Sequence, residues 1–398
     1  MKLLRLVILI SGLSPLVALA QDEKQGPPPV DIPDFSNLDE YIYVPRSILH
    51  FGARFISGPK SSFAGKGRIS TGDDIGAATG TSTQRSYHDG QVNIDTRRVN
   101  VDNGDGTSSS EPIPNDGKTN SWAYFDSRQI TSDGLITFHT YTADIVDTAV
   151  RAKSMSSTVG MELFAVYEMG KLGKYLDWSM VFGFSVNDLG SKVRDQVKAN
   201  LTSINDTYNL FGEIPPTAPY SGPSSSSVTI ASSDGTTIAS TVDTTTLLGN
   251  APLKRDAITT TDSTSVSNLW KLKGAYYTFR GGPSISLPFS SRFHAVISAG
   301  PSLVYAGSSY SVTETYQPTL GAETTMTLSD GTSRLLAGYY ADATLQFDLT
   351  ERTGFYFGAI YQANGRYDQT LVNGDASYTT RVDLSGLNGF RGGLTFRF

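Results

Sequence analysis

Large apolar residues occupy every second position over eight stretches of the chain, about 45–58, 155–169, 176–187, 267–288, 292–308, 333–349, 353–366 and 381–398. A period of two is the mark of a β-strand, whose successive side chains point to opposite faces. The last stretch shows it plainly. Phe390, Leu394, Phe396 and Phe398, with Gly392, fall on one face, and Arg391, Gly393, Thr395 and Arg397 on the other. The first sets Leu49, Phe51, Ala53 and Phe55 against His50, Gly52 and Arg54. The seventh sets Phe355, Phe357, Ala359 and Tyr361 against Tyr356, Gly358 and Gln362.

The connections alternate as well. Those within 169–178, 287–293 and 348–354 are tight, while 59–154, 188–266, 309–332 and 367–380 are long and polar. Strict alternation of short turns and long loops predicts an all-β fold, a transmembrane antiparallel up-and-down β-barrel of eight strands. An even count puts both ends of the barrel on one side. Each stretch exceeds the roughly 9–11 residues that a tilted strand needs to cross a bilayer. The two longest loops are expected to carry further hairpins, at 121–144 and at 226–240 around an Asp-Gly turn. A ten-strand barrel, with 121–144 crossing the membrane, is the alternative.

Charge decides which face is outside. The apolar face has none, and an Arg or Lys there at mid-bilayer would cost about 2–4 kcal/mol. The mixed face carries Arg54, Arg280, Arg391 and Arg397 together with Glu162, Glu168, Asp342 and Asp348. Four against four is what an enclosed space requires, since buried charges must be paired. Side chains just fill an eight-stranded ring, so a packed interior stitched by Arg–carboxylate pairs is expected. A narrow conduit gated by the same pairs is the other reading. Tyr175, Trp178, Phe289, Phe293, Phe347 and Phe355 lie beside the tight turns and read as an aromatic girdle at the periplasmic interface.

Composition places the chain in a cell envelope. Lys2 and Arg5 precede an apolar run from Leu6 to Leu19 that ends in Ala18-Leu19-Ala20, the layout of a cleaved signal peptide over 1–20. Residues 21–44 are proline-rich and acidic, a periplasmic tail. There is no cysteine, which removes disulfides, thiol nucleophiles and thiolate metal sites and suits a large bacterial envelope protein. A net charge of −6 argues against nucleic acid as a partner.

The terminal Phe398, with Phe396 and Leu394 at alternating positions before it, resembles the C-terminal strand signal of Gram-negative outer-membrane β-barrels. The resemblance implies outer-membrane lipids and lipopolysaccharide as surroundings, and the barrel-assembly machinery as reader of that strand. More loosely, YHDGQVNID (87–95) with NSWAYFDSRQI (120–130) resembles a recurring pair in verrucomicrobial-type barrel proteins.

The chemistry-bearing residues point away from catalysis. Of the histidines, His50 and His294 face the interior near the periplasmic end, the wrong depth for lipid chemistry at the outer rim. His88 sits in a turn sequence and His139 in a strand, and neither has a serine at a nucleophile's spacing. VDNGDGTSSS (101–110) lacks the carboxylate spacing of a calcium loop and reads as a turn. Gly281-Gly282-Pro283 and Ala299-Gly300-Pro301 interrupt neighbouring strands, where bulges are expected. No cofactor is implied. The expectation is a non-enzymatic surface or structural protein serving adhesion or envelope integrity. A conduit for small solutes or lipophilic molecules comes second and a lipid-modifying rim enzyme third.

Overall fold

The computed structural model describes residues 47–72, 75–79, 84–231 and 237–398. The signal peptide and the tail lie outside them. The strands that matter here are, in chain order, β1 (Ser47–Ser57), β2 (Lys60–Lys66), β3 (Gly90–Val92), β4 (Trp122–Tyr124), β5 (Ile136–Ile145), β6 (Arg151–Ser154) and β7 (Thr158–Leu172). They continue with β8 (Leu176–Tyr208), β9 (Lys254–Pro288), β10 (Phe293–Tyr316), β11 (Thr324–Asp348), β12 (Thr353–Ala363), β13 (Arg366–Asn373), β14 (Ala376–Asp383) and β15 (Leu387–Arg397).

Eight of these pair antiparallel in a closed ring, β1–β7–β8–β9–β10–β11–β12–β15, with β15 returning to β1. Ring neighbours are successive passes of the chain, so the order is a simple meander. At one end the passes turn tightly, at 173–175, 289–292 and 349–352. There Phe398 N donates to the Ser47 carbonyl at 2.9 Å and fastens the last strand to the first. Alternation holds throughout: His50, Gly52 and Arg54 are buried inside while Phe51 and Phe55 face out.

The ring strands run further than their hydropathy suggests. β8 extends to Tyr208 and β9 starts at Lys254, so much of 188–266 is wall rather than loop. Residues 309–332 and 367–380 are also hairpin strands, not polar loops. The reason is compositional: Ser and Thr replace the large apolar residues on the outward face, as at Ser309, Ser311, Thr313 and Thr315, so the apolar pattern fades although pairing continues. Beyond the ring the wall splits. β2, β14 and β13 prolong β1, β15 and β12, and form with β6 a four-stranded sheet. This sheet faces the far halves of β8–β11. One break occurs at Gly58, whose φ of +102° and 2.2 Å approach of the Gly386 carbonyl to any Cβ leave room for glycine alone.

Between these two sheets lies an apolar core: Phe63, Val266, Trp270, Leu272, Tyr310, Val312 and Tyr378 are buried. Phe63 stacks on Trp270 and Tyr310, with centroids 6.4 and 5.9 Å away. A second core, built on Val92, Trp122, Tyr124, Phe138, Tyr208 and Leu248, joins the two longest connections into one cap. In it β4 pairs with β3 and with Tyr220–Ser221. The 121–144 hairpin therefore does not form as expected, beyond the turn closed by Thr131 N and the Leu135 carbonyl. β5 pairs with residues 199–208 of β8, beyond the stretch of β8 that pairs with β7, so it extends the sheet without entering the eight-strand ring. The 226–240 hairpin is present as Ser225–Ala231 against Thr237–Asp243.

No bulge forms at the prolines. Arg280 pairs with Ser302 and Ser284 with Ser298 in unchanged register, and only the three residues between lapse. Pro283 and Pro301 lack the N–H groups that the Ala299 and Gly281 carbonyls would accept. Those two carbonyls lie 2.3 and 2.2 Å from where a Cβ of Gly282 and Gly300 would stand. The glycine Cα–H groups thus face the carbonyls that the prolines leave free, a weak substitute that keeps the strands together.

Candidate functional site

Alternation delivers one charged side chain from each of several ring strands to the same interior level. Arg280 on β9 lies 3.2 Å from Glu162 on β7 and 3.5 Å from Asp342 on β11. Arg391 on β15 lies 3.6 Å from Glu162 and 2.7 Å from Asp342. The four close into a loop of alternating sign, with side chains no more than 3% exposed. Tyr356 donates to Glu162 at 3.0 Å, and Arg391 donates to Thr344 at 2.6 Å. Phe164 sits beneath both guanidiniums, 4.7 Å from Arg391 and 5.3 Å from Arg280, and His50 stacks on it at 4.1 Å. Taking two cations and two anions from water costs several kcal/mol per ion, so such a cluster is tolerable only when closed in this way.

A second group lies nearer the tight turns. Asp348 is 3.0 Å from both Arg397 and His294 and accepts from Gln346 at 2.9 Å. The remaining two charges depart from the expected pairing. Arg54 meets Ser185 and Gln362, the latter at 2.7 Å, and no carboxylate. Its directly paired neighbours explain this: Gly160 stands on one side and Arg391, already committed to Glu162 and Asp342, on the other. Glu168 forms no ion pair among the described residues. These eight charges balance in total, with a surplus cation toward the loops and a surplus anion toward the turns.

Below the four-charge cluster is a cavity of about 200 Å³ lined by His50, Phe164, Glu168, Trp178, Ser298 and Arg397 among others. Arg391 and Asp342 form its roof. Above them the interior is occupied by Tyr276, Tyr310, Trp270 and Phe63, all essentially inaccessible to solvent. Trp178, a girdle residue by its sequence, also borders the cavity. Its companions Tyr175, Phe289, Phe293 and Phe355 are exposed outward beside the turns, as is Phe398, and Phe293 meets Phe347 at 4.7 Å. Leu394 and Phe396 lie outward on β15. Phe164 and Val166 were missed as interior residues, although their positions two and four beyond Glu162 demand it.

In the cap, Asp89 is buried and accepts from His139 N at 2.8 Å, with its other oxygen 2.6 Å from His139 Nδ1. His88 lies in the turn between Arg85–Tyr87 and β3, as its sequence suggested. The residues 87–95 and 120–130 thus meet, through β3 and β4. Asp206 takes two 2.6 Å bonds from Arg255 and one from Tyr87, whose hydroxyl is pushed up by burial and by its neighbours Tyr208 and Asp206. No nucleophile stands beside His139 in these contacts. Residues 101–110 form a hairpin tip in which Asp105 accepts from Thr107 N at 2.9 Å. Among the described residues, no cluster of three His, Asp or Glu side chains is placed to hold a metal ion.

Neither a family model nor a curated protein matches the chain. Among solved structures, the outer membrane protease OmpT from Escherichia coli is 7% identical, with a TM-score of 0.26 over 88% of this chain and 96% of that one. A Pseudomonas aeruginosa FadL homologue is also 7% identical, with a TM-score of 0.18 over 89% and 90%. Scores this low carry no argument about strand number, activity or the verrucomicrobial resemblance.

Proposed function

We propose that the chain is an integral outer-membrane β-barrel of eight strands, closed through its middle by its own side chains, whose working surface is the loop-side cap. The observation that carries this reading is the outward face of the ring. Between the turn-side aromatics and a second set of outward tyrosines, Tyr277, Tyr305, Tyr339 and Tyr361, it bears no Asp, Glu, Lys or Arg. Phe51, Met161, Phe182, Phe279, Ile297, Leu345, Phe357 and Phe390 stand exposed there. From Phe293 to Tyr305 is twelve residues, from Phe347 to Tyr339 eight and from Phe355 to Tyr361 six. The mean of about nine residues, at ~3.4 Å each and ~40° of tilt, spans about 23 Å. An outer-membrane barrel's apolar band is about 25 Å tall.

On this reading the signal peptide 1–20 is removed on export. The strand ending Leu394, Phe396 and Phe398 addresses the barrel-assembly machinery, and lipopolysaccharide surrounds the outer half. The role is adhesive, shielding or structural, not enzymatic. The cavity under the four-charge cluster favours a second reading, a gated conduit for small or lipophilic molecules, because it leaves part of the interior unfilled between the cluster and His294 and Arg397. Conductance of the refolded protein in planar bilayers, with an Arg280→Ala variant, separates the two. The closed-barrel reading expects silence from both proteins. Defined steps that the variant alters would replace it with the conduit.

A further inference from the structure

Just beyond the second tyrosine set, lysines without acidic partners gather on one side of the outward face. After Tyr277, the outward positions of β9 are Ala275, Lys273 and Lys271; after Val186, those of β8 are Asp188, Gly190 and Lys192. Lys192 and Lys271 are directly opposite in the β8–β9 ladder. Like charges so placed destabilise a sheet. Lys153 of β6 joins them, its ammonium donating to the Lys192 carbonyl at 2.7 Å. The four lysines border a groove of about 300 Å³ floored by Met155, Ser191 and Leu272. Open space beside Gly190 and Gly307 widens it.

These charges have no counter-ions among the described residues. Asp188, the carboxylate on this face, stands opposite Ala275 and forms no ion pair, and Asp195 is taken by Arg151 at 3.0 Å. The far side of the wall is built differently. There Arg381 holds Asp368 at 2.7 Å, and Lys60 and Arg366 both pair in register with Asp383. Four uncompensated lysines, two of them face to face, at the edge of an apolar belt are the arrangement that an anion bound to an apolar tail would neutralise.

We infer that this groove holds the phosphate groups of a glycolipid headgroup in the loop-side leaflet, with the acyl chains lying down the belt over Tyr277, Val186 and Val159. The inference rests on the membrane reading above and gives it a specific lipid contact. The phosphorylated glucosamine disaccharide of lipopolysaccharide has the charge and position required, and it is the source to which the geometry points.

The test uses the full chain folded in detergent micelles, with bound lipid counted by native mass spectrometry. The probes are a bis-phosphorylated, acylated glucosamine disaccharide and the same lipid without phosphates. The phosphorylated lipid is expected to be retained, its affinity about tenfold or more weaker in Lys192→Gln/Lys271→Gln. A Lys60→Gln/Arg381→Gln control on the compensated side is expected to match the parent. Equal retention of the dephosphorylated lipid, or indifference to the groove variant, overturns the inference. So does displacement by inorganic phosphate at the lipid's own concentration, which would mark a site for soluble anions. Heat-modifiable migration and protease protection in vesicles report membrane insertion separately. A chain that inserts yet ignores the phosphates overturns this inference alone, whereas one that fails to insert overturns the membrane reading and this inference with it.

Discussion

Replacing Glu162 by glutamine keeps the side chain's shape and removes one charge from the centre of the ring. Glu162 faces Arg280 at 3.2 Å and Arg391 at 3.6 Å and accepts from Tyr356. After the change two buried guanidiniums share Asp342 alone, with Arg54 a further cation nearby and no acid of its own. Breaking a buried pair by removing one partner costs about 3–5 kcal/mol, because the charge left behind has no water to return to. At 1.36 kcal/mol per decade that is a factor of roughly 10² to 10⁴ in the folding equilibrium. Urea titration of the protein refolded in vesicles, read by tryptophan emission, measures it. The companion change Arg280→Gln restores neutrality and leaves Arg391 with Asp342 at 2.7 Å. The double variant is therefore expected to be more stable than Glu162→Gln alone, a coupling of neighbours that independent sites do not show. A Glu162→Gln loss below about 1 kcal/mol, or a double variant whose loss equals the sum of the singles, would refute the closed network.

Phe357→Lys places a charge on the outward belt and is expected to cost about 2–4 kcal/mol in the same assay, whereas Val372→Lys, exposed beyond the belt, is expected to change little. Gly282→Ala drives a Cβ to 2.3 Å from the Ala299 carbonyl; the strands must part, and faster hydrogen exchange along 276–284 than in the parent would report it, while unchanged exchange would contradict the tight approach. Phe63→Ala removes a ring from between Trp270 and Tyr310; a loss of about 3–5 kcal/mol is expected from the cavity it leaves, and near-neutrality would mean that the upper core is loosely packed. At the start of β6, the hydrogen bond from Arg151 holds the Asp147 carboxyl down at about 2, from 3.8. A depressed carboxylate stabilises fully above its unfolded value, so this contribution is expected to fade as pH falls from about 4 toward 2. Asp147→Asn should flatten that part of the pH–melting curve, and an unchanged curve would remove the pair from the account.

The ring was legible because outward and interior residues differ so sharply in kind: Phe51 beside Gly52, or Phe357 beside Gly358, leaves one assignment of faces. What lay beyond the belt was less so. Tyr310, Val312, Glu314 and Tyr316 alternate inward on β10, yet Ser309, Ser311, Thr313 and Thr315 opposite them made the segment look like a loop. The interior charges were found as a set, but their partners were not. Pairing depends on stagger between strands, and stagger placed Arg54 against Arg391 rather than against an acid. The Asp89–His139 contact joins residues fifty positions apart through a turn and a strand edge, and nothing in either local sequence announces it. Prolines at 283 and 301 promised bulges; paired glycines at 282 and 300 made bulges unnecessary by letting the backbones close up.

On the proposed reading the outward face of the eight-strand ring sits in lipid while its inward face is sealed. Since the chain has no cysteine, single cysteines at 355–361 of β12 and 341–347 of β11 can each carry a spin label in reconstituted vesicles. Accessibility to oxygen and to a water-soluble nickel chelate should then follow a period of two. High oxygen and low nickel contact are expected at 343, 345, 357 and 359, and little of either at 344, 346, 356 and 358. Nickel contact at the outward positions, or loss of the two-residue period, would contradict it.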